Sequence, residues 1–202
     1  FDGGYARELA LHAYSRRLGH ADLPMTIDAV FIDLDGTLIL EDVTWLATHA
    51  LAHKSKLGLL KALCHLVKGR AAYKAALARA IALDHRVLTY EQKVLTLILN
   101  ARQQGQTVVL ATAANEAVAQ QVADHLGLFD GIVASDSKTN RRACAKAKTL
   151  CELYGKKGFS YVGNAWDDLR VWPHAHTAYA VNTPASVLST AKARGIPICE
   201  LS

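Results

Sequence analysis

The sequence predicts a doubly wound α/β fold, with a parallel sheet of about five strands and a helical cap inserted after the first strand. Two observations support this prediction. Short apolar runs alternate with amphipathic helical segments, which is typical of parallel strands joined by helical crossovers. After the first strand the alternation is interrupted by one long interval, residues 41–104, whose pattern is helical throughout.

The predicted strands share the length and apolar composition of buried parallel strands. They occupy residues 27–32, 107–112, 131–135, 159–163 and 177–181. The segments between the later strands have helical periodicity or a turn-like composition. We predict helices at 116–126 and 141–154, and a turn or short helix around 167–174.

The long interval contains candidate helices at residues 41–53, 56–68, 71–83 and 90–104. We interpret it as a cap that overhangs the active site. Ligands of open α/β sheets bind outside the carboxyl ends of the strands, and the interval begins at such an end.

The predicted organisation has three parts. Residues 1–24 form a helical N-terminal extension. Residues 25–40 and 105–202 form the core, and residues 41–104 form the cap.

The composition is that of a globular protein and argues against several other classes. The net charge is +5, but Lys and Arg are spread along the chain without a dense block, so we expect a mildly basic surface and no nucleic-acid partner. The four cysteines show no CxxC spacing and are expected to be buried, reduced thiols of a cytoplasmic protein. No apolar run approaches the length that a membrane helix needs.

The segment Asp33-Leu34-Asp35-Gly36-Thr37 follows the first predicted strand and is the strongest chemical signal. It places two carboxylates close together, and Gly36 permits a sharp turn. Such carboxylates repel unless a cation or a shared proton relieves them, and an oxygen-rich site with few ligands suits Mg²⁺. The spacing of Gly36 does not fit a calcium-binding EF-hand loop. A structural pair of carboxylates that caps a loop is the alternative.

With this motif the chain resembles the haloacid dehalogenase superfamily over residues 27–181. In that superfamily the first Asp attacks phosphorus and forms an aspartyl-phosphate. The second Asp protonates the leaving alcohol and then deprotonates the hydrolytic water. The resemblance implies these roles for Asp33 and Asp35. It also implies a Mg²⁺ ion bound by Asp33 and by the backbone carbonyl of Asp35, and contacts from Gly36 and Thr37 to the substrate.

The second motif of the superfamily is a hydrophobic strand that ends in Ser or Thr, and residues 107–112 match it. Thr112 could donate its hydroxyl to phosphate. Ala113, Asn115 and the backbone amides of the following helix could help to hold the anion. The alternative is an ordinary strand-end cap followed by an ordinary helix start.

The third motif supplies a cation that neutralises phosphate and nucleophile as the transition state forms. The pattern Asn-x-Lys-Gly corresponds here to Asn140-Arg141-Arg142-Ala143, with Arg142 in the lysine position. Lys146 lies one turn later on the same predicted helix face, so either residue could be the catalytic cation. The alternative is a solvated basic helix face.

The fourth motif is commonly Gly-Asp-x-x-x-Asp, and this chain has Gly163-Asn164-Ala165-Trp166-Asp167-Asp168. The resemblance places Asn164 and Asp168 among the metal ligands. An amide oxygen can bind Mg²⁺, but the lost charge should weaken the metal, and Asp167 could compensate. Asp167 and Asp168 could instead simply begin the next helix.

Three segments resemble the soluble domain that is fused ahead of prenyltransferases of the UbiA family. They are Gly69-Arg70-Ala71-Ala72, His125-Leu126-Gly127-Leu128-Phe129-Asp130 and Tyr161-Val162-Gly163-Asn164. This resemblance implies a membrane prenyltransferase domain or partner, and a location at the inner membrane face if the chain is part of such a fusion.

The place of the cap is also similar to that in phosphoserine phosphatases, which carry an acidic, substrate-facing residue at the position of Asp42. The alternative is that Glu41 and Asp42 favour the start of a helix.

The expected function is therefore that of a Mg²⁺-dependent phosphomonoesterase acting on a small phosphorylated substrate. Phosphotransfer to a second substrate would use the same nucleophile and stays open. The alternative from another class is a weakly active or non-catalytic phosphate-sensing domain that regulates a membrane prenyltransferase partner. Arg142 and Asn164, which depart from the superfamily pattern, motivate this alternative.

Overall fold

The computed structural model describes residues 29–81, 84, 88–135 and 141–201. The predicted N-terminal extension, the first two residues of the first predicted strand and Asn140 lie outside the described residues.

The described residues form one parallel sheet of six strands. The strands are β1 (Ala29–Ile32), β2 (Thr107–Asn115), β3 (Gly131–Ser135), β4 (Ser160–Gly163), β5 (Ala178–Ala180) and β6 (Cys199–Glu200). Their order across the sheet is β3-β2-β1-β4-β5-β6, so β1 is central and the chain winds outward from it in both directions. The predicted doubly wound fold is confirmed.

Along the chain, the helices of the described residues alternate with these strands or fill the insertion after β1. They are α1 (Val43–Lys54), α2 (Lys56–Cys64), α3 (Arg70–Ala80), α4 (Gln92–Gln103), α5 (Glu116–Leu126), α6 (Cys144–Tyr154) and α7 (Ala185–Ala193). Short 3-10 segments occupy His65–Lys68, Asp168–Arg170 and Trp172–His174.

The sixth strand was not predicted. β6 has only two residues and pairs with β5 at the edge of the sheet, where both of its residues are exposed. A strand this short carries no periodic signal, because alternation needs at least four residues to be recognised.

The central strand explains why the sheet is covered on both faces. Ala29 and Phe31 belong to the apolar cluster on one face, whereas Val30 and Ile32 belong to the cluster on the other. Alternate side chains of a strand point to opposite faces, and a strand buried on both faces is apolar at every position. The carboxyl end of β1 is therefore fixed rigidly between its neighbours.

The helices α1, α2 and α3 form a unit with its own small core. Its fully buried side chains are Ala47, Leu51, Ala62 and Leu77. The backbone pairs where the insertion leaves and rejoins the core, because the amide of Leu40 donates to the carbonyl of Thr89 (3.0 Å) and that of Glu91 to Leu38 (3.0 Å).

The predicted cap also included α4, which the structure places against the sheet. Val94, Ile98 and Ala101 share one apolar cluster with Val108 and Leu110 of β2. Their spacing of four and three residues is that of an ordinary crossover helix. Helical periodicity shows that one face is apolar, but it cannot show which surface that face covers.

The cysteines lie mostly at the surface. The prediction of buried cysteines is wrong, since Cys64, Cys144 and Cys199 are exposed and Cys151 is only half-buried. No helix in the described part of the chain is both long enough and apolar enough to cross a membrane.

Candidate active site

Asp33 lies at the first position after β1, at the carboxyl edge of the sheet. Its backbone amide donates to the carbonyl of Val162 (3.0 Å), which ties it to the neighbouring strand β4. Its side chain is 14% exposed, so one edge of the carboxylate remains accessible. Burial raises the pKa of Asp33 to about 6, although the Lys146 ammonium opposes this shift.

Asp35 and Gly36 form the turn that follows. Gly36 has φ +71°, and a Cβ atom there would lie 2.1 Å from the side-chain nitrogen of Asn164, so only glycine fits. The carboxylate of Asp35 accepts a hydrogen bond from the amide of Val43 (2.8 Å) at the start of α1. Burial raises the pKa of Asp35 to about 7, and the charges of Asp42 and Asp33 add to this effect.

Lys146 is the cation that contacts Asp33. Its ammonium donates to Asp33 Oδ1 (2.8 Å) and to the hydroxyl of Tyr161 (2.8 Å), and the residue is only 3% exposed. Burial disfavours the ammonium charge, but the carboxylates of Asp33 and Asp168 outweigh burial and raise the pKa of Lys146. Of the two candidate cations of the third motif, Lys146 is the one that contacts Asp33, and its catalytic role stays a prediction.

Arg142 contacts Asp167 instead, in a half-exposed ion pair. The hydrogen bond and charge of Asp167 raise the pKa of Arg142 further. The prediction that Arg142 and Lys146 share a helix face does not hold, because α6 begins at Cys144. Ala143, with φ +49°, breaks the helical path before it.

Asp168 organises the loop after β4. One carboxylate oxygen accepts from the Tyr161 hydroxyl (2.7 Å), and the other accepts from the amides of Asn164 (2.8 Å) and Ala165 (2.9 Å). Gly163 permits this close approach, because a Cβ atom there would lie 2.5 Å from the Asp168 carboxyl. These contacts favour a positioning role over direct metal binding, and its role as a metal ligand stays a prediction.

Asn164 has a side-chain oxygen that could bind a cation. Its Oδ1 atom is buried without a hydrogen-bond partner among the described residues, which is costly for a polar atom unless something binds it. Among the described residues no group of three or more His, Cys, Asp or Glu could hold a metal. A cation here would therefore use the Asn164 amide oxygen together with Asp33 and Asp35, a donor set that fits hard ions such as Mg²⁺.

The residues of the second motif line the next strand end. Thr112 is 1% exposed, and its hydroxyl oxygen accepts from the amide of Ala114 (2.9 Å). Asn115 caps α5 by accepting from the amide of Ala117 (3.1 Å), as the alternative for this residue predicts. β2 continues to Asn115, with an irregular register after Ala111, so it is longer than predicted.

Two predicted substrate residues, Thr37 and Asp42, follow β1 in the chain. Asp42 is the N-cap of α1, with Oδ1 accepting from the amides of Thr44 (2.8 Å) and Trp45 (3.0 Å). Thr37 is fully buried, and its hydroxyl has no partner among the described residues. The contacts of Asp42 support its alternative as a helix start, and contact of either residue with the substrate stays a prediction.

Two site residues were missed in the sequence. Tyr161 connects Lys146 to Asp168, and its alternation with Val162 along β4 could have placed it on the same face as Phe159. Lys74 of α3 donates to the carbonyl of Ala113 (2.8 Å) and so joins the cap to the end of β2. Burial lowers the pKa of Lys74, and the carboxylate of Asp35 partly offsets this.

Comparisons with known proteins show the family to which the chain belongs and the fold that it shares. Residues 30–157 match the family model described as haloacid dehalogenase-like hydrolase. A curated relative from Sinorhizobium fredii, uncharacterized protein y4nM, is 34% identical over 170 residues, which are 84% of this chain and 33% of that protein. The chain thus spans about a third of the length of this relative.

Solved structures show the same fold. A haloacid dehalogenase family hydrolase, t0658 from Salmonella enterica serovar Typhi, has a TM-score of 0.60 at 14% identity and covers 90% of this chain and 74% of its own. A substrate-bound phosphoserine phosphatase has a TM-score of 0.59 at 12% identity and covers 89% and 95%. At these identities the likeness concerns the fold alone.

Proposed function

The chain belongs to the haloacid dehalogenase-like hydrolase family, and on this premise we propose that it is a Mg²⁺-dependent phosphatase that hydrolyses a phosphate monoester. The observation that carries the proposal is the contact of 2.8 Å between the buried Lys146 ammonium and the Asp33 carboxylate. A strand-end carboxylate paired with a buried cation is suited to attack a phosphate group, because the cation offsets the negative charge that develops in the transition state.

The proposed reaction has two steps. In the first, an Asp33 oxygen attacks phosphorus, the ester oxygen leaves with the bonding electron pair, and protonated Asp35 gives it a proton. In the second, Asp35 accepts a proton from water, the water oxygen attacks phosphorus, and Asp33 is released together with inorganic phosphate. The raised pKa of Asp35, about 7, suits a group that must both donate and accept a proton near neutrality.

Hydrolases of this family generally use a divalent metal ion. The Asp33 carboxylate, the backbone carbonyl of Asp35 and the amide oxygen of Asn164 would hold Mg²⁺ here. The bound ion would neutralise the Asp33 carboxylate and the phosphate, so that one anion can approach the other. The Lys146 ammonium would neutralise the same negative charge. Asp168 keeps Lys146 oriented, because Tyr161 accepts from Lys146 and donates to Asp168.

The cap supports a small phosphorylated substrate. α3 reaches over the end of β2 through the hydrogen bond from Lys74 to Ala113, so the strand ends are partly covered. Covering of this kind limits substrate size and excludes water during phosphoryl transfer. A membrane prenyltransferase partner, and a location at the inner face of a membrane, stay predictions.

The test is turnover of an aryl phosphate with Mg²⁺ and with a chelator, for the wild type and for Asp33→Asn. We expect Mg²⁺-dependent release of inorganic phosphate that Asp33→Asn abolishes. Arg102→Met is a matched control, because Arg102 forms an exposed ion pair with Asp130 elsewhere on the surface. A full lack of metal-dependent turnover across a panel of phosphate esters, with phosphate binding retained, would favour the phosphate-sensing alternative.

A further inference from the structure

The outer face of α2 is apolar although it is exposed. The fractional exposure is 63% for Leu57 and 59% for Leu60, and Val67 in the following 3-10 segment is 92% exposed. Large exposed apolar side chains concentrate in this part of the chain. We define the cap face as these residues with their exposed neighbours: Lys56, Leu57, Leu60, Lys61, Leu63, Leu66, Val67 and Lys68.

The packing of α2 explains this exposure. Ala62 is the only residue of α2 that is fully buried, and Leu59 is partly buried against the same cap cluster. The helix therefore uses a narrow stripe to pack on α1 and α3 and turns its remaining leucines outward. Contiguous exposed apolar surface of this kind marks an interaction site more often than an ordinary surface.

The charge of the cap has one sign. Residues 43–83 contain no Asp or Glu, and they contain seven basic residues: Lys54, Lys56, Lys61, Lys68, Arg70, Lys74 and Arg79. Lys56, Lys61 and Lys68 are exposed beside the leucines of the cap face. A partner that covers this face must accept apolar side chains and carry negative charge.

We propose that the cap face docks on the surface of an anionic lipid bilayer. The leucines and Val67 enter the boundary between headgroups and acyl chains, and the flanking lysines remain among the acidic headgroups. A helix with apolar side chains on one side and lysines at the margins binds membranes in this way, without spanning them. Each lysine near an anionic membrane adds to the affinity.

The same features disfavour other occupants. A nucleic acid would pair with the lysines but would leave Leu57, Leu60 and Val67 exposed to water. A second copy of the chain would bring two positive faces together, and residues 43–83 offer no carboxylate to balance them. Of these three occupants, the anionic bilayer is the one that satisfies both the charge and the apolar side chains.

The experiment is flotation of the full chain with lipid vesicles, and it measures binding without reference to turnover. One set of vesicles contains phosphatidylcholine with a minor fraction of phosphatidylglycerol, and the other contains phosphatidylcholine alone. We expect binding to the anionic vesicles only, and we expect it to weaken as salt screens the lysines. A failure of the phosphatase proposal would leave this result unchanged.

Matched variants separate the two contributions. Leu57→Ser with Leu60→Ser should lower the partition coefficient about tenfold, because apolar surface is lost. Lys56→Glu with Lys61→Glu should lower it by at least about tenfold. The controls remove the same side-chain types elsewhere: Leu99→Ser in α4 and Lys192→Glu in α7, both at exposed positions. Since all these positions are exposed, thermal unfolding should be nearly unchanged.

Three results would overturn the proposal. The first is no binding to the anionic vesicles at low salt. The second is binding that the control variants reduce as much as the cap-face variants do. The third is binding of an oligonucleotide that competes fully with the vesicles and depends on the lysines but not on the leucines, which would indicate a nucleic-acid surface.

Discussion

At the residue scale, the proposed phosphatase reaction depends on Lys146, which is almost wholly buried. Lys146 contacts the Asp33 carboxylate, the Tyr161 hydroxyl and, at 4.0 Å, the Asp168 carboxylate. A buried ammonium is stable only when such partners compensate its lost hydration. The same partners fix its direction, so its charge is already placed where phosphate charge would develop.

Replacing Lys146 should therefore be more harmful than replacing Arg142. For Lys146→Met we expect kcat for an aryl phosphate to fall by about two to three orders of magnitude, since the preorganised cation is lost. For Arg142→Met, which breaks a half-exposed pair with Asp167, we expect less than about a tenfold loss. Steady-state kinetics measure both, and a larger loss for Arg142→Met would refute the assignment.

Asp35 gives the protein a specific dependence of stability on pH. An aspartate in the unfolded chain has its ordinary pKa of 3.8, and burial raises the pKa of Asp35 to about 7 in the metal-free fold. The folded protein therefore keeps this proton to a higher pH than the unfolded chain does. The stability that comes from the raised pKa is complete below about pH 4 and is lost as the pH rises through about 7.

The substitution Asp35→Asn removes that loss, because an amide does not ionise and can still accept the hydrogen bond from Val43. Relative to the wild type in chelator, its free energy of unfolding should gain about 2 kcal/mol between about pH 5 and about pH 8. Denaturant titrations across this range measure the gain. Asp124→Asn, which removes an exposed carboxylate from α5, is the control, and an equal gain there would contradict the prediction.

Asn164 offers a test of the proposed metal site. Asn164→Asp places a third carboxylate beside Asp33 and Asp35, so the Mg²⁺ concentration for half-maximal activity should fall about tenfold. Without metal, the same variant should be less stable, because three carboxylates then repel. Calorimetric titration of Mg²⁺ measures the affinity, with the exposed Asn100→Asp as control. An unchanged affinity would show that position 164 does not bind the ion.

At the scale of elements, α3 is the cap helix that contacts the carboxyl edge of the sheet. It carries a half-buried cation, Lys74, which donates to the carbonyl of Ala113. The hydrogen bond joins α3 to the end of β2, so we expect Lys74 to affect the geometry of the proposed substrate site.

Removing this connection should change binding more than chemistry. For Lys74→Met we expect the KM for an aryl phosphate to rise about fivefold to tenfold, with kcat changed by less than about threefold. Arg79→Met removes an exposed cation from the same helix and should leave both values close to the wild type. If kcat falls while KM stays constant, Lys74 takes part in the transition state instead.

α6 shows how far sequence reasoning can go for one element. Residues 144–154 have clear helical periodicity, and the helix was predicted within three residues of its start. The choice between Arg142 and Lys146 depended on that start, because Ala143 turns the chain and separates the two side chains. Backbone geometry at a single residue is set by long-range packing, which local spacing does not reveal.

At the scale of the whole molecule, the sheet and the cap have cores of very different size. The sheet is covered on both faces by large apolar clusters, whereas only four residues of the cap are fully buried in its own cluster. Local stability follows the amount of buried apolar contact. The cap should therefore open more easily than the sheet, as a cover over an active site requires.

Two core substitutions of the same type should make this difference visible. Leu77→Ala in the cap core should speed amide hydrogen exchange in α1, α2 and α3 while leaving β1 and β2 protected. Leu150→Ala, between α6 and the sheet, should instead lower the global free energy of unfolding by about 2 to 5 kcal/mol. If both substitutions lower global stability equally, the cap and the sheet unfold as one unit.

The sequence by itself determined the alternation of strands and helices, the insertion after the first strand, and the pair Asp33 and Asp35 at a strand end. These features are local, since periodicity and short spacings follow from the geometry of the chain. The tertiary structure decided that Lys146 contacts Asp33, that Asp168 holds the loop and Lys146, and that α4 packs on the sheet. Such contacts join residues far apart in sequence, so they depend on how whole elements rotate and pack against one another.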